Sequence, residues 1–157
     1  MIASALAGGF LGTLVLSSVL RSASELGVTR MDLPFLLGTA MTDDRRRAKI
    51  WGYLLHFVMG LVFALIYGAC FKAIDHTGAF LGSLLGAVHA LFTSTVLVNV
   101  LLPVVHPRIG TPETAANQTA LIESPGFLML NYGRSTALVN LAAHVAYGAI
   151  VGWAIRL

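Results

Sequence analysis

Nearly every charge in this chain is confined to the gaps between four apolar stretches, which run approximately over residues 2–20, 50–74, 80–105 and 136–155. A helix needs about 20 predominantly apolar residues to cross the hydrocarbon core of a bilayer, and each stretch is long enough. Only 11% of the 157 residues are charged and 57% are hydrophobic, where a soluble domain carries roughly 25% charged residues. The expectation is an all-α integral membrane protein, a four-transmembrane-helix bundle. It forms one transmembrane domain over residues 1–157, with little chain left for a soluble domain.

The connections support these boundaries. Pro103 lies near the end of the third stretch, where a helix can stop or kink at little cost. Pro34, Pro107, Pro112 and Pro125 all fall between stretches. No positive charge precedes the first stretch, as it would in a signal peptide. Although Ser22-Ala23-Ser24 resembles a cleavage site, the first helix is expected to be retained.

Lys and Arg are distributed unevenly. Arg21, Arg30, Arg45, Arg46, Arg47 and Lys49 lie in the first connection and Arg108 and Arg134 in that between the third and fourth stretches. Only Lys72 and Arg156 lie at the other end. By the positive-inside tendency both long connections are cytoplasmic and both termini outside. The expected location is a bacterial-type inner (plasma) membrane, crossed several times. The formal charge of +3 follows topology rather than a binding stripe, so the bilayer is the expected partner and nucleic acid is not. The basic cluster before the second stretch could also meet anionic head groups.

Each cytoplasmic connection carries an apolar run too short to span, Met31–Gly38 around Pro34 and Pro125–Leu130. These read as short interfacial or re-entrant segments or as apolar loops covering the helix ends. An internal repeat accompanies them. Gly8-x-x-x-Gly12 and Gly82-x-x-x-Gly86 mark the first and third stretches. His56-x-x-x-Gly60 and His144-x-x-x-Gly148 mark the second and fourth, with Ala64 and Gly152 four residues on. The chain reads as a duplicated two-helix unit whose halves are related by an axis along the membrane normal. Gly-x-x-x-Gly alone is a common packing motif.

Laid on helices, small residues form stripes that carry histidines: Gly52, His56, Gly60 and Tyr67; Gly82, Gly86, His89 and Thr93; Asn140, His144, Gly148 and Gly152, with Tyr147 alongside. Small residues permit close backbone approach, so the stripes should face the bundle interior. By rise per residue, His56 and His144 lie at similar depth and His89 somewhat further out. Ionisable residues at such depth are rare and mark function by default.

Three roles compete. The histidines are structural, hydrogen-bonded to Asn140, Asn99, Thr93, Tyr67 or Tyr147. Or they are ligands: His56 and His144 as the cofactor-binding pair of a b-type haem, or His56, His89 and His144 around a transition-metal ion. Or they form a proton or substrate path, as in a small proton-coupled transporter. The leading expectation is a structural or binding subunit of a membrane assembly, with other membrane subunits or further copies of itself as partners. A second candidate site lies at the cytoplasmic edge, where Glu25, Asp32 and His106 could meet. The carboxylates there equally read as solvated ion pairs with Arg21 and Arg30, and His106 as a helix-end cap. His76 reads as outer loop.

Catalytic signatures are missing: the sequence holds no phosphate loop, no Gly-x-Ser-x-Gly elbow and no His-Glu-x-x-His. The single cysteine, Cys70, allows neither an intrachain disulfide nor a cysteine-based metal cage, and Cys-x-x-Cys-His attachment of haem is excluded.

Overall fold

A computed structural model describes residues 1–109 and 122–156; Pro112 lies outside them. Helix α1 spans Ile2–Glu25, α2 Leu33–Gly38 and α3 Arg45–Ile74. Helix α4 spans Ala79–Phe92 and continues as a π-helix over Thr93–Leu101 and as α5 over Leu102–Val105. A 3₁₀ segment covers Phe127–Tyr132 and α6 covers Thr136–Ala154. Four helical stretches, Ile2–Glu25, Arg45–Ile74, Ala79–Val105 and Thr136–Ala154, are long and apolar enough to cross a membrane.

Two boundaries differ from the hydropathy pattern for local reasons. α1 runs past Leu20 to Glu25, where Arg21 and Glu25 pair across one turn at 2.6 Å. α3 begins at Arg45 rather than Ile50, because Asp44 caps it by accepting the Arg47 N–H at 2.7 Å. The basic cluster therefore sits on the first turn of a helix and not in a loop.

The helices lie side by side in the order α3, α1, α6, α4, and the backbones of α3 and α4 make few close approaches. Small residues set the close approaches. Gly9 faces Gly60 and Ala64, and Gly60 in turn faces Thr13, so α1 and α3 pack along Gly9 and Thr13. Gly82 faces Gly148 and Gly152, and Gly86 faces the backbone of His144, so α4 and α6 pack in the same manner. Gly8 and Gly12, the motif residues of the first stretch, face Ala154, Val151 and Tyr147 of α6 instead. The α1 glycine packed against α3 is thus Gly9, one position from the motif residue. Gly52 seats Pro34 of α2 rather than facing the bundle interior.

Both apolar connections fold back at the same end. Asp32 accepts the Phe35 N–H at 3.1 Å and Pro34 occupies the first turn, which together start α2. Gly38 and Gly52 let α2 lie against Ala48 and Pro34 meet α3. The second connection joins the first: the Arg30 N–H donates to the Tyr132 carbonyl at 2.8 Å, and the Thr29 and Thr136 hydroxyls meet at 2.6 Å. Arg30 also pairs with Glu123 at 3.3 Å and donates to the Asn131 carbonyl. Leu128 and Met129 both adopt left-handed backbone angles, φ 53° and 58°. That conformation costs about 1–2 kcal/mol per non-glycine residue, and here it turns Met129 inward, where it is buried.

The third membrane-length segment is not a uniform helix. Thr93, Ser94 and Thr95 return their hydroxyls to the carbonyls of Ala90 and Leu91, and the Asn99 amide donates to the carbonyls of Ser94 and Thr95 at 3.0 Å each. Side chains thereby compete for the carbonyls that an α-helix would use. Pro103 withholds an N–H further on. The helix widens to π geometry, which is rare and recurs at functional sites.

Candidate functional site

Because α3 and α4 stand apart, side chains have to fill the seam between them. On one side of His89 it is filled. His89 stacks on Phe63 with ring centroids 3.8 Å apart and meets the Tyr67 hydroxyl at 3.4 Å. Beyond these, Ala5, Ala64, Phe71, Val151 and Ile155 are all buried. On the other side the π-helix and the two folded-back connections leave a cavity of about 530 Å³, within the 300–1,000 Å³ range of small-molecule sites.

The cavity has an apolar wall and a polar floor. Leu33, Leu36, Leu37, Met31, Met59, Met129, Leu97 and Val98 belong to the wall; His56, His89, His144, Asn140, Thr93 and Tyr147 contribute the polar groups. Val100, Leu101, Val104 and Val105 also line it while being exposed on the outer surface of the bundle, so it reaches the helix flank between α3 and the π-helix. Among the described residues lining it there is no Lys, Arg, Asp or Glu.

All three intramembrane-type histidines line this one cavity. His89 and His144 make a T-shaped contact with centroids 4.7 Å apart. His56 comes from α3, where Ser17 of α1 meets its Nδ1 at 3.1 Å. The His144 Nδ1 lies 2.9 Å from the Asn140 carbonyl oxygen. A carbonyl only accepts, so this Nδ1 carries the proton and Nε2 presents a lone pair. No hydrogen bond from a described residue reaches the Nε2 of His56, His89 or His144, and among the described residues no buried side-chain N or O atom is left without a partner. Each of these histidines lines the cavity, His56 the smaller pocket as well, with its Nε2 left free of the described hydrogen bonds.

The remaining hydrogen-bond donors of the floor are already used. Tyr147 donates to the Gly60 carbonyl at 2.5 Å, Thr13 to Gly9 at 2.7 Å and Thr93 to Ala90 at 3.0 Å. The Asn140 amide donates to the Ala90 carbonyl and the Thr93 hydroxyl. The Tyr147 and Asn140 bonds tie α6 to α3 and to α4 across the floor. Of the expected histidine partners, Tyr67 alone meets a histidine of another helix, His89. Asn140 meets His144 through its backbone carbonyl within α6, Thr93 and Tyr147 bond to Asn140 and to the Gly60 carbonyl, and Asn99 bonds within its own helix.

For the ligand roles, the convergence of His56, His89 and His144 is observed, yet among the described residues no three His, Cys, Asp or Glu side chains are arranged to hold a metal ion. For a haem on His56 and His144, the described wall supplies no cation to meet the propionates.

The candidates Glu25, Asp32 and His106 separate. Glu25 and Asp32 line a second, smaller pocket of about 160 Å³ with Arg21, Lys49, Tyr53 and His56. Asp32 pairs with Lys49 at 2.8 Å and not with Arg30, while Glu25 keeps Arg21. His106 does not join them. It is buried against α2, its Nε2 donating to the Leu36 carbonyl at 2.9 Å and its Nδ1 accepting the Arg108 N–H at 3.2 Å. Burial holds its pKa below the ordinary imidazole value, and the nearby Arg108 charge acts in the same direction. The Arg108 side chain donates to the Thr39 carbonyl at 3.2 Å, so the pair clasps α2 to the chain leaving α5. Burial likewise pushes the Tyr132 phenol up to about 12; its hydroxyl donates to the Glu123 carbonyl at 2.7 Å. Sequence reasoning missed Met31, Met59 and Met129 as cavity residues.

Compared with protein-family models, curated proteins and solved structures, the chain matches none. What the fold and site define is therefore a class: an all-helical bundle with four membrane-length helices around a histidine-floored cavity.

Proposed function

We propose that this is a multi-pass membrane protein that binds a small, neutral, largely apolar molecule in the cavity between α3 and the π-helix. The observation that carries the reading is the cavity itself: an apolar wall, a floor lined by three imidazoles whose Nε2 atoms take no hydrogen bond from a described residue, and a rim of exposed valines and leucine. Buried polar atoms ordinarily find partners within the fold. Imidazole nitrogens beside a cavity that no described residue reaches are suited to an incoming one. The uncharged wall favours an uncharged ligand, because an unpaired charge there would lose its hydration without compensation.

The bilayer would surround the four helices, with both folded-back connections on the cytoplasmic side, as the Lys and Arg distribution implies. The rim would then open to lipid, and ligand would enter sideways from the membrane. Matching small-residue packing of α1 on α3 and of α4 on α6 supports descent from a duplicated helix pair. A binding subunit fits better than a proton or substrate path, since the half of the bundle beyond His89 is filled by Tyr67, Phe71, Val151 and Ile155.

Photolabelling in nanodiscs tests this. A long-chain alcohol carrying a diazirine should label Leu97, Met59 and neighbouring cavity residues, and Leu97→Trp or Met59→Trp, by filling the space, should abolish that labelling. Equal labelling of wild type and both filled variants, or labelling confined to the outward-facing Phe80 and Trp153, would overturn it.

A further inference from the structure

The hydrogen-bond inventory of the floor narrows the ligand, on the condition that the cavity binds one as proposed above. Every donor of Thr13, Thr93, Asn140 and Tyr147 is committed within the protein. The His144 Nδ1–H is committed to the Asn140 carbonyl. What His144 offers the cavity is therefore an acceptor, the Nε2 lone pair. His56 and His89 differ, because each bonds through Nδ1 to a hydroxyl, Ser17 or Tyr67, that can donate or accept. When that hydroxyl donates, the imidazole's proton moves to Nε2 and faces the cavity. The floor can thus present a fixed acceptor at His144, with the Asn140 Oδ1 as a second and donors beside them.

A group that completes this set must itself donate and also accept, and it must be uncharged. Ketones, esters and ethers only accept, and would leave the His144 lone pair unpaired. An ammonium donates but would find no carboxylate among the described lining residues, and a carboxylate or phosphate would find no Lys or Arg. A hydroxyl satisfies every condition. We infer that the cavity takes an apolar molecule bearing a hydroxyl head, an aliphatic alcohol or a phenol, whose O–H is accepted by His144 Nε2 and whose oxygen accepts from His89 or His56 in turn. The body of the molecule would lie along Leu97, Val98 and Met129 toward the rim.

Matched head groups on one body test the inference. In nanodiscs, a C12 alcohol and its methyl ether, and an alkylphenol and its methyl ether, compete against the photoreactive alcohol. The hydroxyl compound should bind roughly tenfold more tightly than its ether, the size expected when a buried acceptor gains or loses its one partner. The His144→Leu variant should bind ether and alcohol alike, with the ether's affinity close to wild type. A preference confined to one body assigns the ligand to the aliphatic or to the phenolic class. If alcohol and ether bind wild type equally, the head-group assignment is wrong while the cavity reading stands. If none of the four binds, the cavity reading itself falls. Should the variant fail to fold, ¹⁵N-imidazole NMR of wild type decides independently: His144 must be protonated at Nδ1 and bare at Nε2, and the opposite tautomer overturns the inference.

Discussion

Gly82 and Gly68 show how differently two glycines on membrane-length helices can matter. A methyl on Gly82 would overlap the Gly148 carbonyl oxygen, backbone against backbone, with no flexible side chain to give way. On Gly68 the same methyl would meet the Ile155 and Ala5 side chains at 3.7 and 3.8 Å, ordinary contact. Gly82→Val should therefore destabilise the bundle by about 1–3 kcal/mol through overpacking, whereas Gly68→Ala should stay within about 0.5 kcal/mol of wild type. Unfolding in mixed micelles measures both, and equal losses would contradict the assigned packing. At this scale the sequence was partly legible. Histidines among small residues stood out because ionisable groups are scarce in apolar stretches, but which ring nitrogen faces inward depends on carbonyls such as that of Asn140, whose position only the fold supplies.

Among the elements, α2 is held by a clasp that depends on charge. His106 donates through Nε2 to Leu36 and accepts through Nδ1 from the Arg108 N–H, a pattern only the neutral ring can make. Its pKa is lowered in the folded chain, so the folded state disfavours protonation relative to the unfolded one. The clasp's stability is accordingly present above the ordinary imidazole pKa of about 6.5 and lost as pH falls below it. Hydrogen exchange, corrected for intrinsic rates, should show protection of Thr39 and Met41 falling between pH 7.5 and 5. In His106→Asn it should be low and flat. Parallel profiles would contradict the clasp. The helices themselves were legible because hydropathy acts over twenty residues and needs no register. Their faces were less so: one residue turns a helix by about 100°, enough to give the α3 contact to Gly9 instead of Gly8. The π-helix was missed because the pull of Thr93, Ser94, Thr95 and Asn99 on their own carbonyls competes with an equally apolar α-helical reading. His106 ends α5, as its helix-end reading had it, but the partner of its side chain, α2, reaches it only after docking on α3.

For the whole molecule, the order α3, α1, α6, α4 explains why a cavity exists at all. Two tightly packed helix pairs join through α1 and α6, and the seam left between α3 and α4 is filled by Phe63, Tyr67 and His89 on one side and stays open on the other. The two folded-back connections close the end of that open part with Met31, Leu36 and Met129. Five methionines allow a direct reading, since Met31, Met59 and Met129 line the cavity while Met1 and Met41 are exposed elsewhere. Methionine-methyl NMR of the protein in nanodiscs, titrated with the C12 alcohol, tests the central claim most directly. Saturable shifts of Met31, Met59 and Met129, with Met1 and Met41 unmoved, are the predicted result. No saturable shift, or five methyls moving together, would contradict it.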